Sequence, residues 1–209
     1  MKQITEKNKT IYMVAIIALI ILIGIVVTGI LGFNKELRYS ESQRIDVYIE
    51  QKVDKAKIQE IVDEVIGKNN MVQTVEIYQD MVTIRAKSIS EEQKNDIVNK
   101  IKENYEIEQT AEDTEIKEIP ATRIKDMYKN YIIPLIISGI IVIIYMIIRY
   151  HKKGILKVLA RTIVIPIISE LLLLSIISIT RIPIGTITLI LVILIYLIAM
   201  LYVVKKCEE

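Results

Sequence analysis

A single carboxylate lies inside an otherwise apolar run late in this sequence. The run is IPIISELLLLSIISI, residues 165–179, and the carboxylate is Glu170. An acidic group at such a position is functional by default, because hydrocarbon tolerates it poorly. It could bind and release a proton in a proton path, or it could hold an assembly of helices together. A proton path needs a second ionisable group, and the other apolar runs contain no acidic residue.

The helix around Glu170 is apolar enough to carry it into a membrane. Residues 162–180 include twelve Leu, Ile or Val residues, which contribute roughly −4 to −7 kcal/mol against about +3 kcal/mol for one carboxylate. Hydrocarbon favours the neutral carboxyl, which can then form an interhelical hydrogen bond with Tyr145, Tyr196 or a serine. Pro166, one turn earlier, removes a backbone donor and predicts a helix kink.

Four apolar runs in the sequence are long enough to cross a bilayer, for which an α-helix needs about 20 residues. The first run turns polar at LGFNKELRYS with no small-residue cleavage site. We therefore interpret it as an uncleaved anchor and not as a signal peptide. The sequence predicts transmembrane helices over residues 11–33, 131–149, 162–180 and 183–204.

Positive charge is distributed unequally between the two ends of these helices. Ten lysine and arginine residues lie in or directly beside segments 1–10, 150–161 and 205–209, whereas Arg181 alone lies in the short loop at the opposite end. The long segment 34–130 is left out of this count, because long domains cross a membrane largely regardless of charge. Because such cations mark the cytoplasmic side, these three segments are predicted to be cytoplasmic and residues 34–130 extracytoplasmic. The chain is thus predicted to be a multi-pass protein of the cytoplasmic (inner or plasma) membrane, with both termini inside.

The long segment 34–130 has the periodicity of an α+β domain. RIDVYIE alternates as a half-buried strand, and a helical stripe follows that ends at Gly67. Two strands are predicted next, with a tight turn near Gln79 and Asp80. A second helix begins with Ser90 and Gln93 at capping-box spacing, and a last strand is expected within EDTEIKEI. The order β-α-β-β-α-β predicts a ferredoxin-like layer of helices on an antiparallel sheet.

The sequence offers little chemistry besides Glu170. No cluster of His, Cys or convergent carboxylates occurs, so we expect no enzyme activity, metal or cofactor. Residues 34–130 carry 16 cationic and 21 acidic side chains, a net of −5. Without a basic stripe interleaved with aromatics, nucleic acid is not an expected partner. His151 is interpreted as an interfacial anchor. The lone Cys207 can form no internal disulfide, and palmitoylation is its functional alternative.

Three features of the chain resemble SecF of the SecD/SecF membrane proteins. The stretch FNKELRYSESQRIDV follows the first helix as a comparable family segment does, and EIKEIPATRIKDMYKNYIIPLIISGIIVIIYMIIRY matches the segment that leads into the next family helix. The order of one helix, an outer domain and further helices is also that of the family. The matching positions are Asn34, Leu37, Tyr39, Ser40, Arg44, Ile45, Asp46 and Val47 in the first stretch and Pro120, Tyr145 and Arg149 in the second.

This resemblance implies a function in protein export. The chain would then assist translocation of exported polypeptides through the Sec channel, within the lipid bilayer and together with a SecD-like partner. The alternative is a degenerate, non-transporting membrane scaffold or regulator that binds partners through its outer domain.

The sequence departs from the family pattern at several places. Glu41 and Ser42 stand where the family has a pair of glycines. If the backbone needs a positive φ there, Glu41 and Ser42 adopt it at a cost in energy that glycine does not have. The family has six helices against the four predicted here. Ile198, Ala199 and Met200 occupy a region where the family has an intramembrane Asp implicated in proton-driven work. The family's His-Asp pair has no match at 164–168, although Glu170 lies nearby.

Overall fold

The computed structural model describes residues 2–49, 51–74, 81–105 and 107–209, with residues 2–7 described by backbone alone. The elements are α1 (Lys2–Leu31), β1 (Ser42–Tyr48), α2 (Lys55–Ile66), β2 (Asn70–Thr74), β3 (Met81–Ala86), α3 (Glu91–Tyr105), β4 (Lys117–Ile119), α4 (Ile124–Tyr150), α5 (Ile155–Thr180) and α6 (Thr186–Glu208). Two compact units result. The spanning unit ends at Asn34 and resumes at Tyr128, and the α/β unit is Lys35–Met127.

Four helices in the described part of the chain are long and apolar enough to cross a membrane. The spans are Asn8–Leu31, Ile124–Lys153, Ile155–Thr180 and Thr186–Glu208. Each exceeds the roughly 20 residues that a bilayer requires. The four predicted apolar helices are therefore confirmed, and the chain has the architecture of a multi-pass membrane protein.

The helix ends differ from those predicted by hydropathy. Helix α4 begins at Ile124 and α5 at Ile155, each earlier than the apolar run inside it, while α6 begins at Thr186, after Pro183. Residues 155–161, which belong to the segment 150–161 predicted to lie outside the membrane, form the first turns of α5. Lysine, arginine and leucine are good helix formers, so the helix continues past the point where the sequence becomes polar.

Helix α5 is the centre of the spanning unit, because it packs against both α1 and α6. It runs without a break through the buried Pro166. Helix α4 joins its neighbours near its C-terminal end, where Met146 is buried. Met146 forms an apolar cluster there with Val158 of α5 and with Val203 and Cys207 of α6.

The described residues of the α/β unit form an antiparallel sheet in the order β2-β3-β1-β4. Ile45 lies opposite Ile84 and Val47 opposite Val82, so the alternating residues of β1 and β3 share one face. Helices α2 and α3 bury their apolar stripes against that face. The shared core is Ile45, Val47, Ile49, Ile58, Val62, Val72, Val82, Ile84, Ala86, Ile89, Ile97, Val98, Ile101 and Ile107.

The predicted stop signal of α2 and the predicted start signal of α3 are both present. Gly67 has a φ of 87°, and its amide donates to the carbonyl of Asp63 at the end of α2. Ser90 and Gln93 exchange side-chain and backbone hydrogen bonds of 3.0 and 3.1 Å at the start of α3. The last strand is Lys117–Ile119, inside the predicted stretch. The predicted turn near Gln79 and Asp80 lies outside the described residues.

Candidate functional site

The carboxyl of Glu170 is covered by protein but has no hydrogen-bond partner. Both of its oxygens are buried, and neither meets a donor or acceptor within the part of the chain that the structure describes. The hydroxyl of Tyr145 instead accepts a hydrogen bond from Arg149 at 3.0 Å, and Ser169 donates to the carbonyl of Ile165 at 3.0 Å. The predicted hydrogen bond from Glu170 to Tyr145, Tyr196 or a serine is therefore not formed among the residues that the structure describes.

The helix that carries Glu170 is held to α1 by a seam of small residues, Gly24, Thr28, Ser175 and Ser178. A side chain added at Gly24 would overlap Ser175, so the two backbones approach closely there. The hydroxyls of Thr28 and Ser178 hydrogen-bond at 2.8 Å. Small residues four apart on α1 are a known sequence signal for close helix contact in membranes. This signal is present in the sequence, although the contact was not predicted from it.

Asn34, one of the positions that match the family, fixes the end of this seam. The side-chain amide of Asn34 donates to the backbone carbonyl of Arg181 at 2.9 Å. The backbone carbonyl of Asn34 accepts from the backbone amide of Ile184 at 2.8 Å. The guanidinium of Arg181 returns a 2.6 Å hydrogen bond to the carbonyl of Gly32. Asn34 thus ties the segment after α1 to the loop between α5 and α6, which is a structural role.

Ile198, Ala199 and Met200 occupy the region where the SecF family has an intramembrane Asp, and their surroundings in the structure are apolar as well. Ile198 and Ala199 line a groove together with Ile165 and Ser169 of α5. Ala199 is only 4% exposed. This region of α6 lies against the part of α5 next to Glu170, but it supplies no group that can exchange a proton. Among the described residues, no group of three or more His, Cys, Asp or Glu is placed to hold a metal ion.

The structure brings Arg44 and Asp46 together on the face of the sheet opposite the core. Arg44 donates to Asp46 at 2.6 Å and Thr83 donates to it at 2.8 Å, while Lys117 lies 3.4 Å away. The Asp46 side chain is only 10% exposed. Burial by itself raises the pKa of Asp46, but Arg44, Thr83 and Lys117 outweigh it, so this pKa lies below its ordinary value. Asp46 is the hub of a charged network joining three strands.

Replacing Asp46 with asparagine is expected to destabilise the α/β unit by about 2 kcal/mol at neutral pH, because three donors lose a charged acceptor. The folded pKa is depressed, so the stabilisation is present above about pH 4 and disappears as the pH falls through the folded pKa. Hydrogen exchange of the β1 and β3 amides measures this. The exposed Asp96→Asn serves as control. A loss that stays the same at about pH 2 would contradict the electrostatic explanation.

Tyr39, Leu37 and Pro120, three further positions that match the family, take no part in this hub. The carbonyl of Tyr39 accepts from the amide of Thr122 at 2.9 Å, and the carbonyl of Leu37 accepts from Ser40 in a turn. Pro120 lines a surface recess together with Glu41 and Ser42. Arg181 is the one residue other than glycine with a positive φ among those the structure describes. The expected backbone strain at Glu41 and Ser42 is therefore absent, and the glycine pair is not needed here.

Cys207 and His151, the two side chains with a conceivable lipid or metal chemistry, lie at the ends of helices. Cys207 is 1% exposed and belongs to the apolar cluster with Met146. A thiol in that position is covered by protein, which disfavours palmitoylation. His151 is exposed, and its ring nitrogen contacts the carbonyl of Ile148 at 2.9 Å.

The fold and these sites define a class of protein: a multi-pass membrane protein with an α/β unit between its first and second spans. No family model and no curated protein sequence matches this chain.

Proposed function

We propose that this chain is a SecF-like accessory subunit of the Sec protein-export machinery, acting in the cytoplasmic membrane with a SecD-like partner. The observation that carries the proposal is the position of the α/β unit, between the first and second of four spans. The stretches around Asn34 and Pro120 that resemble SecF include most of the first strand and the whole of the last strand of this unit. In this proposal the chain is not an enzyme, and Glu170 serves chiefly in assembly with the partner.

The strand arrangement supports a ferredoxin-like fold for the α/β unit. Strands β1 and β2 are both antiparallel to β3, which lies between them, and β3 and β4 are both antiparallel to β1. Each helix therefore links two parallel strands that are separated by a third, which is the split β-α-β arrangement. Both helices lie on one face of the sheet, and the charged network around Asp46 lies on the other face.

The cation asymmetry supports an orientation with both termini in the cytoplasm and the α/β unit outside. Reporter fusions at residues 100 and 153 test it directly. We expect a reporter that is active only outside the membrane to work at residue 100 and to fail at residue 153. Activity at both positions would overturn the topology and with it the proposed function.

Recovery of partners tests the function itself. The tagged chain, extracted from its native membrane with a mild detergent, is expected to retain a SecD-like protein or a component of the Sec channel. Its deletion is expected to slow export of proteins with Sec signal peptides. Recovery of other membrane proteins, without any Sec component, would favour the alternative of a non-transporting scaffold. The lack of a second ionisable group beside Glu170 is the observation that keeps this alternative open.

A further inference from the structure

The C-terminal ends of α4 and α6 and the N-terminal end of α5 meet in one place, and each has basic residues in or beside its last or first turns. Val158, near the start of α5, packs against Met146 of α4 and against Val203 and Cys207 of α6. The guanidinium of Arg161 donates to the carbonyl of Lys206 at 2.8 Å, which fixes the ends of α5 and α6 together. Basic residues distant in sequence are thereby gathered at one end of the spanning unit.

Four of these cations form no ion pair among the described residues, and we call them the lysine cluster: Lys152, Lys153, Lys157 and Lys205. All four are exposed, and the described part of the chain places no carboxylate within ion-pair distance of any of them. Glu209 is bound to Lys206 at 2.6 Å, and Glu208 accepts a hydrogen bond from Tyr150. The cluster therefore has a net positive charge.

Exposed apolar side chains lie directly beside the lysine cluster. Leu156 is 81% exposed and Ile155 is 53% exposed, and both stand between Lys153 and Lys157 in the first turn of α5. A free phosphate ion would gain nothing from an exposed leucine. A lipid surface interacts favourably with both kinds of group. Its acyl region buries the apolar side chains, while its anionic headgroups bind the ammonium groups.

We propose that the lysine cluster binds the phosphates of anionic phospholipids, with Leu156 and Ile155 inserted at the headgroup boundary. Each lysine near an anionic surface favours binding by about fivefold. The chain would then collect anionic lipids around the ends of α4, α5 and α6. This proposal does not depend on the export function, nor on which leaflet the cluster faces.

Lipid selectivity of the purified full chain tests this. The chain is reconstituted in phosphatidylcholine with spin-labelled phosphatidylglycerol or phosphatidylcholine, and the relative association of the two labels is measured. We expect the wild type to prefer the anionic label. The variant K152Q/K153Q/K157Q is expected to lose this preference by about fivefold per lysine, whereas K152R/K153R/K157R should retain it. A triple glutamine variant with wild-type selectivity would refute the proposal.

Two further arms distinguish lipid binding by the lysine cluster from an effect of net charge and from a free-anion site. K52Q/K55Q/K57Q removes the same charge from exposed lysines of the α/β unit and is expected to leave the selectivity unchanged. If both triple glutamine variants lost lipid selectivity equally, the selectivity would depend on net charge alone, and the proposal would be wrong. Millimolar inorganic phosphate should reduce the selectivity no more than chloride at equal ionic strength. A specific reduction by phosphate would show a free-anion site instead.

Discussion

Replacing Gly24 with leucine is expected to separate α1 from α5 and to destabilise the spanning unit by about 3 kcal/mol. Even a Cβ atom at Gly24 would overlap Ser175, including its backbone, so rotation of the serine side chain cannot make room. Moving the helices apart also breaks the hydrogen bond between Thr28 and Ser178. Unfolding of the purified chain in mixed micelles, followed by helical circular dichroism, measures the loss.

Gly29 on the same helix provides a matched control. It is exposed, and a Cβ atom built there meets nothing within 4 Å. Gly29→Leu adds the same side chain to α1 and is expected to leave the chain as stable as the wild type or slightly more so, because leucine has the higher helix propensity. If the two variants were equally destabilised, the loss would come from α1 itself and not from its contact with α5.

Hydropathy predicted the number of spans, because crossing a bilayer demands about 20 apolar residues whatever the neighbouring helices do. It could not place the start of α5 at Ile155, since backbone hydrogen bonding continues through polar helix formers such as Lys157. The predicted strands and helices of the α/β unit follow in the same way from alternation and helical stripes. Their signals are local, so one sequence suffices to detect them.

Contacts between distant residues escaped prediction from the sequence. Arg44 and Asp46 were singled out by resemblance alone, while Thr83 and Lys117 joined them because β3 and β4 flank β1. Register sets such partners, and the sequence predicted the strands without fixing which residues face each other. The hydrogen-bond partners expected for Glu170 were wrong for the related reason that helix rotation decides which hydroxyls a carboxyl can reach.

Replacing Glu170 with leucine is expected to stabilise the isolated chain while weakening its assembly. Because the carboxyl has no partner in the described part of the chain, leucine removes a buried unsatisfied polar group, a gain of about 1–3 kcal/mol. In the proposed assembly a partner helix hydrogen-bonds this carboxyl, and its loss weakens assembly by about 0.6 kcal/mol and at most 1–2 kcal/mol. Both oxygens are covered by the chain's own atoms, so the side chain must change rotamer to reach that partner.

Glutamine at position 170 separates assembly from proton transfer. It keeps the size and hydrogen bonding of the acid but cannot exchange a proton, so Glu170→Gln should leave assembly and export nearly intact. Stability in mixed micelles, recovery of the partner, and export with and without a proton gradient are measured for both variants. A glutamine variant that assembles normally but loses gradient-dependent export would make Glu170 a proton carrier.

A leucine variant that gains no stability would show that the carboxyl has a hydrogen-bond partner within the folded chain. The chain carries no second ionisable group beside Glu170 at Ile198, Ala199 or Met200, and for that reason we expect the assembly role.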